Sequence, residues 1–79
     1  MIAEVGMTCL VDDGKALKAA TVIKITKVAS SKTQILDVKL DDSGVRNYFK
    51  LNKEGVWVNT ECNHTGRWNL KNSLILTFA

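Results

Sequence analysis

The stretch TQILDVKLDDSGVRNYFKLNKEGVWV, residues 33–58, decides how this chain folds. Apolar and polar side chains alternate through Ile35-Leu36-Asp37-Val38-Lys39-Leu40 and again from Val45 to Leu51, the period of an extended strand with one covered face. Asp41-Asp42-Ser43-Gly44 and Asn52-Lys53-Glu54-Gly55 interrupt the alternation with turn residues ending in glycine. Asp and Asn bond their own backbone in turns, and glycine supplies the positive φ that closes them. Read as four-residue connections, the two turns predict a three-stranded antiparallel meander. In it Lys39 faces Arg46, Asp37 faces Tyr48, Lys50 faces Trp57 and Tyr48 faces Asn59. Directly opposed residues share a face. Leu36, Val38, Leu40, Val45, Asn47, Phe49, Leu51, Val56 and Val58 then form the core side. Ile35, Asp37, Lys39, Arg46, Tyr48, Lys50, Trp57, Asn59 and Glu61 form the other.

The same grammar extends outward. Met7, Cys9 and Val11 alternate before Asp12-Asp13-Gly14 stops the strand. Residues 17–28 form a long β-branched segment, residues 29–32 a polar break, and residues 59–66 the least regular stretch. Residues 67–71 read as a short strand, with Trp68 and Leu70 on one face and Trp68 taken as core. Leu74, Leu76 and Phe78 belong to a closing strand that must be tied into a sheet, within the monomer or across a dimer axis, because a free apolar edge aggregates. There is no proline to interrupt a ladder. Five to seven short strands in 79 residues predict an all-β fold: a small SH3-like barrel or a strongly bent antiparallel sheet, with an OB-like barrel as the alternative. The expectation is one domain over residues 1–79.

Residues 5–14, Val5-Gly6-Met7-Thr8-Cys9-Leu10-Val11-Asp12-Asp13-Gly14, lead into Lys18-Ala19-Ala20-Thr21-Val22-Ile23. This opening resembles the start of small SH3-like proteins encoded by tailed phages, which are similar to Tudor and KOW modules. In these a glycine precedes the first strand, an acidic-Gly turn follows, and small residues lead into Val/Ile. The match spans residues 5–23 and departs after Ala29. It implies a barrel, a phage origin and a role in blocking host machinery, and it assigns no functional residue.

The formal net charge of +3 is unevenly placed. Residues 1–44 balance six lysines with six acids, whereas residues 45–79 carry Arg46, Lys50, Lys53, Arg67 and Lys71 against Glu54 and Glu61. A basic half attracts nucleic acid or an acidic protein surface, although +3 is also what keeps a small domain soluble. The N-terminus lacks the basic and apolar regions of a signal peptide, and no apolar run approaches a membrane span. These features predict a cytoplasmic protein with no membrane association and with reduced cysteines.

The face opposite the predicted core interleaves cations and aromatic rings. Lys39, Arg46, Tyr48, Lys50, Trp57 and Asn59 are the candidate binding residues. Tyr, Trp and Arg anchor protein interfaces, and rings beside Lys and Arg also take up single-stranded nucleic acid. Asp37 and Glu61 on the same face weigh against phosphate. The plainer alternative is that Trp57 merely shields the sheet against Lys50 or Ile35. Cys9, Cys62 and His64 fall one ligand short of a structural zinc site, and a Cys–His nucleophile lacks an orienting partner. The acid pairs at 12–13 and 41–42 are explained by turn formation, and no phosphate loop or nucleophile elbow occurs. The expectation is a non-enzymatic module without cofactor or metal. It binds a protein partner, as a phage-encoded inhibitor of a host complex, or alternatively single-stranded nucleic acid.

Overall fold

The computed structural model describes residues 3–27 and 34–78; the break read at residues 29–32 lies outside them. Six antiparallel strands follow one another around a closed barrel: β1 (Thr8–Asp12), β2 (Leu17–Lys27), β3 (Gln34–Leu40), β4 (Arg46–Leu51), β5 (Trp57–Cys62) and β6 (Trp68–Phe78). Among the described residues there is no helix, and so none long and apolar enough to cross a membrane. The closing strand is tied in within the monomer. Cys9 pairs with Phe78 and Val11 with Leu76 on one side of β6, while Trp57 pairs with Leu76 on the other.

Alternation puts every second side chain inside. Cys9 and Val11 of β1, Ala20 and Val22 of β2, Leu36, Val38 and Leu40 of β3, Phe49 of β4 and Leu76 of β6 form one buried cluster. Met7, Ile25, Trp57, Leu74 and Phe78 pack against it from the rims. Val45 and Leu51 are in phase with Phe49, as the alternation requires, yet they sit at strand ends and are half exposed, so the predicted core is shorter than read.

The register of the β3–β4 hairpin is the one the sequence predicts, with Lys39 opposite Arg46, Asp37 opposite Tyr48 and Ile35 opposite Lys50. Four residues connect the strands, because the Leu40 N–H donates to the Val45 carbonyl at 2.8 Å and the Gly44 N–H to the Leu40 carbonyl at 2.9 Å. The next hairpin closes one residue tighter. The Asn52 N–H donates to the Val56 carbonyl and the Gly55 N–H to the Asn52 carbonyl. The Asn52 side-chain oxygen accepts the Glu54 and Val56 N–H groups at 2.9 Å each. Asn52 is thus the last ladder residue as well as the turn cap.

That one-residue difference reverses β5, since side chains alternate with period two. Leu51 faces Trp57, Lys50 faces Val58, Phe49 faces Asn59 and Tyr48 faces Thr60. Trp57 and Asn59 therefore point inward, whereas Val56 and Val58, expected in the core, take the opposite phase and are half-buried.

Residues 59–66 are more regular than expected. β5 continues to Cys62, and Asn63-His64-Thr65-Gly66 forms a second Asn-capped loop, with the Asn63 N–H donating to the Arg67 carbonyl at 2.9 Å. Asn63 Oδ1 accepts the Thr65 and Arg67 N–H groups at 3.0 Å.

The two terminal segments read separately are one strand, β6, bent by an irregularity. Thr60 pairs with Leu70, but Val58 pairs with Ile75, so a two-residue step on β5 spans a five-residue step on β6. The surplus of three is odd. Trp68 and Leu70 accordingly take the outer phase, and Leu74, Leu76 and Phe78 the inner one. Trp68, expected in the core, stands outside it.

Candidate binding face

Ladder partners across the barrel define the outer surface around β4. One row runs from Lys39 to Arg46. The next runs Lys24–Asp37–Tyr48–Thr60–Leu70, and the third Thr26–Ile35–Lys50–Val58–Ile75. Three of these outward residues are nonetheless buried: Ile35, Asp37 and Thr60 are at most 3% exposed. The wall around β4 is therefore covered by its own larger side chains.

Two rings provide that cover at Thr60. Tyr48 leans in from β4 and Trp68 from β6, meeting edge to face with centroids 5.3 Å apart and planes at 64°. Edge-to-face contact is the favoured geometry for aromatic quadrupoles. Thr60 is small enough to lie beneath the pair, and its hydroxyl donates to the Asn69 carbonyl at 2.6 Å. Tyr48 remains 39% exposed and Leu70, opposite Thr60, 67% exposed.

The charges nearby are anchored. Asp37 accepts both Nε and Nη2 of Arg46, a bidentate pair in which the carboxylate is buried and the guanidinium half exposed. This contact raises the Arg46 pKa further above its ordinary value. Lys50 Nζ donates to the Trp68 carbonyl at 3.1 Å, tying β4 to the outer arm of β6. Lys39 and Lys24 are exposed beside this group.

Of the six residues predicted for the face, Lys39, Arg46, Tyr48 and Lys50 come together on it. Trp57 and Asn59 do not. Trp57 meets Phe78 edge to face inside the barrel mouth, centroids 6.1 Å apart. Asn59 is fully buried opposite Phe49, where its Nδ2 donates to the Tyr48 carbonyl at 2.9 Å and its Oδ1 has no partner. Trp68 and Leu70 take their places, and reading Asn63-His64-Thr65-Gly66 as a hairpin loop would have put both opposite β5.

Elsewhere, an open groove of about 450 Å³ at the barrel mouth is lined by Leu51, Val56, Trp57, Ile75 and Phe78, with Thr77 its one polar side chain. Cys9 is buried and Cys62 exposed, both as free thiols. Burial, with the nearby charge of Asp41, pushes the Cys9 thiol up to about 11, so it stays protonated and unreactive at neutral pH. Among the described residues no three His, Cys, Asp or Glu side chains are grouped to hold a metal ion.

No protein-family model, curated protein or solved structure matches this chain.

Proposed function

We propose that this chain is a cytoplasmic, non-enzymatic protein-binding module whose contact surface is the outer wall around β4: Lys39, Arg46, Tyr48 and Lys50, completed by Trp68 and Leu70. The observation that carries this reading is the Tyr48–Trp68 pair, held edge to face above a buried threonine beside exposed Leu70. Interface hot spots are rich in Tyr, Trp and Arg, which stand together here as Tyr48, Trp68 and Arg46, and pre-ordered side chains lose little entropy on binding. The opening resemblance to phage SH3-like proteins supports an inhibitory role against a host complex.

Single-stranded nucleic acid is the second reading, favoured by four cations, Lys24, Lys39, Arg46 and Lys50, around two rings. One feature ranks it lower: the rings face each other's edges instead of lying parallel as base platforms.

The test is affinity capture from host lysate with the wild-type protein and a Tyr48→Ala/Trp68→Ala variant whose folding is verified by urea denaturation. The reading requires a defined partner that the folded variant fails to retain. Equal retention by both proteins refutes it.

A further inference from the structure

Resting on the binding-face reading, we infer that the partner presents a short extended segment in the pattern acid–x–apolar–x–acid, laid along β4. β4 places Arg46, Tyr48 and Lys50 at alternate positions of one strand, all on the outer wall. At about 3.3 Å per residue, the two cations lie about 13 Å apart with the ring midway. An extended segment has the same repeat, so its alternate side chains fall in step with those of β4. The central apolar side chain rests on Tyr48, Trp68 and Leu70. One flanking carboxylate reaches Lys50. The other reaches Arg46 Nη1, which the Asp37 pair leaves outside its two bonds, and Lys39 directly opposite Arg46.

The charge of the wall fixes the sign of the ligand. Lys24, Lys39, Arg46 and Lys50 outnumber the two outward acids: Asp37 is buried and already paired, and Asp41 accepts the Thr21 hydroxyl at the end of the wall beside Lys39. An acidic segment gains from this cationic excess, whereas a basic one meets net like charge. The buried carboxylate also holds Arg46 in place before any partner arrives.

The experiment titrates the full-length ¹⁵N-labelled protein and follows backbone amide shifts of residues 46–50, Lys39 and Trp68. The probes are a peptide with the core Glu-Thr-Phe-Thr-Glu, its Gln-for-Glu counterpart, a reordered Thr-Thr-Phe-Glu-Glu core, and oligothymidylate. The acidic peptide is expected to shift these amides. The Gln and reordered peptides are each expected to bind at least about tenfold more weakly, and Lys39→Glu to weaken the acidic peptide by a similar factor. If the Gln peptide binds equally well at this wall, acidic recognition is wrong while the binding face stands. If the reordered peptide binds equally well, the alternate spacing is wrong. If oligothymidylate shifts the wall and no peptide does, both the segment and the protein-binding reading fall. If nothing shifts it, the acidic segment is wrong, and the face then stands or falls on retention of the partner by Tyr48→Ala/Trp68→Ala.

Discussion

Leu51 stands directly opposite Trp57 across the β4–β5 ladder, and this pair determines which tryptophan the barrel covers. With Leu51 at the inward phase, Trp57 follows it inside and meets Phe78. The outward position beside Tyr48 is then filled from β6, by Trp68.

Truncating the two partners of this exchange separates them energetically. Trp57→Ala removes a ring packed on the core and should cost about 3 kcal/mol in urea denaturation. Tyr48→Ala removes a 39% exposed ring and its edge contact, and should cost about 1 kcal/mol. The reverse order contradicts the register.

The Asp37–Arg46 pair gives a second expectation. Arg46→Met leaves a buried carboxylate without its charge partner and should lower the urea midpoint. Adding Asp37→Leu removes the uncompensated charge, so the double variant should recover part of that loss. A double variant no more stable than Arg46→Met means that Asp37 is not held by this pair.

Most of the barrel is legible in the sequence because the β3–β4 turn and the alternation of Leu36, Val38 and Leu40 agree. The failure comes from turns of similar spelling that close differently. Asp41 to Gly44 are all loop, whereas Asn52 and Asn63 each serve as the last ladder residue while capping the turn. Hydrophobic pattern alone favours the other register, with Val56 and Val58 inside and Asn59 outside. The fold accepts buried Asn59, with one unpartnered oxygen, in exchange for covering Trp57. Nothing local announces the three-residue surplus in β6 that turns Trp68 outward, because Lys71-Asn72-Ser73 reads as ordinary polar strand or loop.

Cys9 links the core to alkaline stability. Its pKa is about 11 in the folded protein against 9.0 for an ordinary thiol, so the folded state holds the proton more tightly. The associated stability is complete below pH 9 and is lost as the pH rises through 11. Chemical denaturation across that range should show the decline, and Cys9→Ala should flatten it, though at a lower stability throughout because of the cavity. Thiol labelling at neutral pH should modify Cys62 promptly and Cys9 only on unfolding. Equal labelling rates contradict the burial of Cys9.

Barrel closure depends on β6. Deleting residues 74–79 removes the strand segment that joins Trp57 and Val58 of β5 to β1, leaving two apolar edges. The truncated chain should be insoluble or unfolded by circular dichroism. A soluble, cooperatively folding truncation would mean that five strands suffice.

The most direct measurement of the binding-face proposal is the affinity of the captured partner for Tyr48→Ala/Trp68→Ala relative to wild type, read with the unfolding midpoint of each. Loss of a well-packed interface anchor costs about 2 kcal/mol or more, roughly thirtyfold in affinity. The proposal requires that loss in a variant that still unfolds cooperatively. A folded variant that binds as tightly as wild type contradicts it.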